Sequence, residues 1–140
     1  MNPTRTLLLV PVLAVALAGA GCGNSESNDF VESYNAATAP LTQLMTDLSG
    51  TPSEQSLTKM ADGLEEVKVK LGELDPPDDA RDELDTLLAS LEANTAEVRK
   101  MAKAVKSDDV EKLTAATQSF STEGAKLVQA EEALRAAVEG

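Results

Sequence analysis

Cys22 is the residue with the most distinctive chemistry in this chain of 140 residues, because it is the only cysteine and the chain has no histidine. A single thiol cannot form an internal disulfide, so it is either free or modified. The absence of histidine excludes His-ligated zinc, haem and di-iron bundle sites and any nucleophile activated by imidazole. No glycine-rich phosphate loop or nucleophile elbow is present. The sequence therefore predicts a protein that is not an enzyme and that uses no cofactor or catalytic metal.

Charged side chains are the other groups that could do chemistry. The chain has 24 acidic and 12 basic residues, a net charge of −12. Proteins that bind nucleic acid need clustered Lys and Arg to displace counterions, so nucleic acid is not an expected partner. The densest acidic cluster lacks the ligand spacing and central glycine of a calcium loop. We interpret it as a set of acids favoured by a helix N-terminus, formed by Asp75, Asp78, Asp79 and Asp82.

One basic stretch stands out, and one polar residue adjoins an apolar stripe. The stretch comprises Arg99, Lys100, Lys103 and Lys106. It could meet lipid headgroups or an acidic partner, but the i+3 spacing from Glu97 to Lys100 favours a solvated helix end.

Asn94 could fix helix register. We interpret it instead as a flanking position in contact with solvent.

The N-terminus has the pattern of a secretory signal. Arg5 precedes an uncharged apolar run over residues 7–18, which is too short for a transmembrane span of about 20 residues. The run ends in three small residues, Gly19, Ala20 and Gly21, directly before Cys22. We therefore expect residues 1–21 to be a cleaved signal peptide.

The small residues before Cys22 resemble the lipobox of bacterial lipoproteins, although Gly19 stands where that family prefers leucine. In that family the cysteine is diacylglycerylated, the signal is cut before it, and the new N-terminus is acylated. The resemblance implies that Cys22 is the lipidation site and anchors the protein in the cell membrane, on its extracytoplasmic face. The alternative is an ordinary secreted protein cut near Ala20, with a stray thiol.

Apolar spacing predicts the rest of the architecture. Residues 22–28 are read as the lipidated cysteine and a flexible polar tether, and residues 29–140 as the folded domain. Apolar residues recur there at spacings of three and four, which predicts helices at about 29–49, 52–74, 78–106 and 108–138. The four stripes begin at Phe30, Leu57, Leu84 and Val110, and the first ends at Leu48. The fourth continues through Leu113, Ala116, Phe120, Gly124, Leu127, Leu134 and Val138.

Turn and cap residues set the predicted boundaries. Thr51 to Glu54 reads as a capping box with Pro52 at the first helical position, and Pro76 with Pro77 separates the second and third helices. Asp108 with Glu111 reads as a second capping box, so we expect a tight hairpin there rather than one helix over 79–138. Pro40 should kink the first helix. Short connections make successive helices antiparallel, which predicts an all-α, up-down-up-down four-helix bundle.

The chain also resembles the small helical lipoproteins of actinobacterial cell envelopes. The resemblance rests on the lipobox, the acidic alanine-rich helices, and the stretch Leu-Gly-Glu-Leu-Asp-Pro-Pro at 71–77. Many members carry a histidine after these prolines, and this chain has none, so no role of that residue is carried over. The resemblance implies a location and a fold rather than a task.

We therefore expect a non-catalytic, membrane-anchored lipoprotein whose bundle presents an acidic surface to an unknown protein partner. Two alternatives remain open at the level of sequence. The bundle could carry a small apolar ligand between its helices, or the stripes could drive self-association. The sequence does not specify the oligomeric state.

Overall fold

Within residues 25–47 and 52–139, the parts of the chain that this computed structural model describes, the backbone is almost entirely helical. The helices are α1 Ser25–Thr38, α2 Pro40–Asp47, α3 Glu54–Gly72, α4 Arg81–Lys106 and α5 Val110–Glu139. One 3-10 turn, Asp78–Ala80, precedes α4. No strand occurs in these described ranges. The predicted all-α class is confirmed.

The helices form an antiparallel four-helix bundle in which α1 and α2 together make the first helix. Lys106 at the end of α4 contacts Glu54 at the start of α3, with Nζ 2.9 Å from Oε1. Lys68 late in α3 contacts Glu92 earlier in α4, at 3.7 Å. This register requires α3 and α4 to run in opposite directions. A short turn folds α5 back along α4, and α1 contacts α5 through Tyr34 and Glu131.

The predicted apolar stripes supply the core. Leucine, valine, alanine and methionine dominate it, together with Phe30 and Tyr34. Val110 was predicted to begin the fourth stripe, but it is 72% exposed. It is the first residue of α5 and lies at the turn that joins α4 to α5. Leu48, the last residue of the first stripe, lies outside the described residues.

The first helix differs most from its predicted extent of 29–49. It begins at Ser25, so residues 25–28, expected in the flexible tether, are helical. Pro40 breaks the helix rather than kinking it. The amide of Ala39 donates to Asn35 O at 3.0 Å, but Pro40 has no N–H to continue the ladder. Its fixed φ instead suits the first position of a new helix, α2.

The α3 cap lies two residues later than predicted. Ser53 is the N-cap: its Oγ accepts from the Ser56 amide at 3.1 Å, and Ser56 Oγ accepts from the Ser53 amide at 2.9 Å. The proposed box from Thr51 to Glu54 is wrong in its residues, and Thr51 itself lies outside the described part of the chain. The two reciprocal hydrogen bonds of a capping box are nevertheless present, between Ser53 and Ser56. The helix ends at Gly72 rather than at residue 74.

The turn between α4 and α5 separates two helices, as the phase of the stripes predicts. Asp109, rather than Asp108, caps α5, because its Oδ1 accepts from the Lys112 amide at 3.0 Å. Asp108 has φ of 54°, a left-handed conformation that aspartate adopts more readily than most residues. The Asp109 amide then donates to Ala104 O at 3.0 Å and closes the turn. At the other end of α4, the helix was predicted to begin at about residue 78. Residues 78–80 form a 3-10 turn instead, and α4 begins at Arg81.

Candidate functional site

Cys22, the predicted lipidation site, lies outside the described residues, as do the signal peptide over 1–21 and the cut before Cys22. Lipidation therefore stays a prediction from the sequence. The chain enters the described structure three positions later, at Ser25. Within the described helices, none is both long and apolar enough to cross a bilayer.

The predicted acidic cluster surrounds the connection from α3 to α4, and its side chains are exposed. Arg81 bridges two of them: Nη2 lies 3.0 Å from Asp75 Oδ1, and Nε lies 3.1 Å from Asp78 Oδ1. In the described ranges, no three His, Cys, Asp or Glu side chains converge in a way that could hold a metal ion. The cluster thus carries a local arginine contact and otherwise faces solvent.

Charge is unevenly distributed along the bundle axis. Residues 73–85 contain seven carboxylates and one arginine, a side-chain charge of −6, and we call this part the acidic end. Residues 97–112, at the opposite end of α4, contain five bases and four acids, a charge of +1, and we call this part the basic end. In an up-down-up-down bundle, the start of α1 lies at the same end as the start of α4. The chain therefore enters the bundle at its acidic end.

A groove of about 580 Å³ lies between α4 and α5 at the basic end. We call it the α4–α5 groove. Its lining combines small apolar side chains with ammonium groups: Ala104, Ala115, Ala116, Lys100, Lys103 and Lys112. Glu97 neutralises Lys100 at 2.6 Å, the pair that the i+3 spacing predicts, and Asp109 neutralises Lys112 at 2.8 Å. Among the described carboxylates, none lies within ion-pair distance of Lys103.

The most unusual polar contact in the bundle core joins α1 to α5. Tyr34, 1% exposed, donates its hydroxyl to Oε1 of Glu131, 3% exposed, at 3.1 Å. The other carboxyl oxygen, Oε2, is buried without a hydrogen-bond partner. We call the contact between these two helices the α1–α5 seam. It brings two titratable side chains together where water is excluded.

Burial dominates the electrostatics of this pair. It raises the pKa of Glu131, and the nearby charge of Glu132 raises it further, while the hydrogen bond from Tyr34 partly opposes the shift. Burial, followed by the charge of Glu131 and the hydrogen bond to it, raises the pKa of Tyr34 well above its usual range. An ionised carboxylate with one neutral donor is costly in an apolar core. A neutral carboxyl that lacks one hydrogen bond costs only about 1–3 kcal/mol.

Sequence reasoning missed Glu131, and the stripe contains the signal that could have found it. Leu127 and Leu134 are seven residues apart, so a core position must fall between them, and Glu131 occupies it at spacings of four and three. Asn94 was also misplaced, since it is buried rather than in contact with solvent. Its Nδ2 donates to Ser90 O at 3.0 Å, and Thr95 Oγ1 donates to Leu91 O at 2.8 Å. These two are satisfied by their own helix.

Comparison of the chain with protein-family models, with curated proteins and with solved structures returns no match.

Proposed function

We propose that this chain is a non-catalytic lipoprotein of the cell envelope, anchored through Cys22, whose bundle presents an acidic surface to a protein partner. The lipobox pattern before Cys22 supports the anchor. The acidic end supports the existence of a protein partner, because it contains seven exposed or half-exposed carboxylates and only one arginine. This charge asymmetry is the observation that carries the proposal. The expected partner has a basic surface, since complementary charge steers association.

The position of the acidic end also bears on where the partner sits. α1 begins three residues after Cys22, so a lipidated Cys22 holds the acidic end close to the bilayer. The basic end then points away from the membrane. A partner that binds the acidic end would therefore lie at the membrane surface. A basic extracytoplasmic loop of a membrane protein is one example.

Crosslinking in cells followed by mass spectrometry tests this function. Neutralising three exposed acids of the acidic end, with Asp79→Asn, Asp82→Asn and Asp85→Asn, should reduce the crosslinked partner at least tenfold. The matched control removes the same charge elsewhere, with Glu92→Gln, Glu111→Gln and Glu123→Gln, and should keep the crosslink. Recovery of no specific partner, or equal loss in both triple variants, would count against the proposal.

A second candidate function is favoured by the α4–α5 groove. Its alanine lining, together with Lys103, which has no ion pair with the described carboxylates, suits a small apolar ligand that carries an anionic group. This is a more specific form of the carrier alternative. Native mass spectrometry of the purified chain should then show a bound small molecule that is lost in Lys103→Glu. An unliganded mass for the wild-type chain would leave the partner-binding function as the better account.

A further inference from the structure

The α1–α5 seam contains a buried acid whose environment is incomplete. Glu131 has one hydrogen bond, from Tyr34, and its Oε2 has none. The titratable groups that act on Glu131 are Tyr34 from α1 and its neighbour Glu132 on α5. The described parts of α3 and α4 contribute no charged group that acts on it. Among the described residues, no cation therefore compensates a negative charge at this position.

α1, the helix on the other side of the seam, is separated from the rest of the bundle chain by an interruption at Ala39 and Pro40. α1 ends at Thr38, and Ala39 alone separates it from Pro40, the first residue of α2. Because Pro40 has no N–H, the hydrogen-bond ladder of α1 is not continued into α2. α1 is thus held to the bundle by side-chain packing of Phe30, Tyr34 and Ala37 and by the hydroxyl of Tyr34.

We propose that Glu131 carries a proton on Oε2 while α1 is docked, and that loss of this proton to water releases α1 from α5 while α3, α4 and α5 remain packed. The O–H bond of the carboxyl breaks, the proton leaves to solvent, and the resulting carboxylate is hydrated in the open state. Tyr34 keeps its own proton throughout. The pair is thus a proton-dependent latch, and this inference does not depend on the proposed function.

The direction of the pH dependence follows from linkage. Burial raises the pKa of Glu131 in the docked state above its value in the open state, so docking takes up a proton. Docking is then strongest below the ordinary pKa of glutamate and weakens as the pH rises through the raised value. The raised pKa of Tyr34 acts with the same sign in alkaline solution, because the phenol must leave the seam to ionise. The segment released is the one that follows the predicted anchor at Cys22.

Hydrogen exchange of the purified full-length chain tests the latch, with α4 as an internal standard. Between the ordinary pKa of glutamate and its raised value in the docked state, the protection factors of residues 29–38 should fall by up to tenfold per pH unit and then level off, while those of α4 do not change. Tyr34 is the only tyrosine and the chain has no tryptophan, so intrinsic fluorescence reports the same step. Glu131→Gln, which mimics the protonated carboxyl, should abolish the pH dependence. Glu111→Gln, an exposed change of the same type on α5, should leave it intact.

Two results would overturn the inference. One is α1 protection that follows α4 at every pH, and the other is pH dependence that survives in Glu131→Gln. If Glu131→Gln fails to fold, infrared spectroscopy of the wild-type chain decides the question. A carbonyl stretch of a protonated carboxylic acid should be present while α1 is docked and should vanish as its protection is lost. A docked chain without that band contradicts the proposal.

Discussion

α4 and the α1–α5 seam treat buried polar groups in opposite ways. In α4, Asn94 and Thr95 donate to carbonyls one turn earlier in the same helix, so their satisfaction does not depend on any neighbour. In the α1–α5 seam, Glu131 depends on Tyr34 from another helix for its one hydrogen bond. A polar core residue whose hydrogen bond is made within its own helix does not depend on how that helix packs against its neighbours. In the proposed latch, a carboxyl whose hydrogen bond comes from another helix makes docking depend on its protonation.

The two regions also differ in what joins neighbouring helices. Three exposed or half-exposed ion pairs link α3 to α4: Lys68–Glu92, Arg99–Asp62 and Lys106–Glu54. Exposed pairs of this kind contribute little to stability. The α3–α4 contact therefore depends on its leucine stripe. We expect truncation of an apolar side chain there to lower the free energy of unfolding more than any polar substitution elsewhere.

The largest effect is expected from Leu91→Ala in the middle of α4. Leu91 is 1% exposed, and its truncation should lower the free energy of unfolding by about 2–5 kcal/mol because it leaves a cavity in the core. Denaturant titration measures this. The control is Val69→Ala on α3, a residue 52% exposed, which should change stability by less than about 0.5 kcal/mol. Similar losses in both variants would show that this core is loosely packed.

Tyr34→Phe should have the next largest effect. It removes the one donor that the described residues offer to the buried carboxyl of Glu131, so we expect a loss of about 1–3 kcal/mol in the free energy of unfolding. The double variant with Glu131→Leu removes both polar partners and should recover most of that loss. A double variant less stable than Tyr34→Phe alone would contradict the role assigned to the seam.

The pH dependence of stability should separate the seam from the rest of the bundle. Folding raises the pKa of Glu131, so the folded chain holds a proton that the unfolded chain releases. Wild-type stability, measured relative to Glu131→Gln, should therefore fall as the pH rises above the ordinary pKa of glutamate, by up to about 1.4 kcal/mol per pH unit. Taking the difference cancels the other carboxylates. A flat difference would mean that Glu131 is ionised in the core.

Most of the bundle architecture could be predicted from the sequence. The spacing of leucine and valine was enough for the helix count, the antiparallel order and nearly all core positions. The boundaries were less accurate, because Ser53 and Asp109 compete with nearby residues of similar capping ability. The Tyr34–Glu131 contact could not be predicted, since the two residues are 97 positions apart and meet only through packing.

A smaller effect is expected where α2 crosses α3. A Cβ added to Gly63 would overlap the side chain of Leu44, with Cδ2 at 2.9 Å. Gly63→Ala gains about 1 kcal/mol of helix propensity, and the overlap should cancel it in the wild-type chain. In a Leu44→Ala background the gain should appear in full, so a double-mutant cycle should give a coupling of about 1 kcal/mol. Additive effects would mean that Leu44 moves aside freely.

The smallest effect is expected for the exposed pair at the basic end. Glu54 raises the pKa of Lys106 through a hydrogen bond and its charge, but both groups are well solvated. Lys106→Ala should leave the denaturation midpoint unchanged within error, as should the control Lys103→Ala, which removes a lysine without an ion pair. A clear midpoint shift in Lys106→Ala alone would assign this pair a structural role.

The mass of the N-terminal peptide shows whether Cys22 is the lipidated N-terminus of the mature protein. Mass spectrometry of the membrane fraction should find a peptide that begins at Cys22 and carries a diacylglyceryl group on its thiol. A chain that retains residues 1–21, or one released to the medium with an unmodified Cys22, would contradict the account.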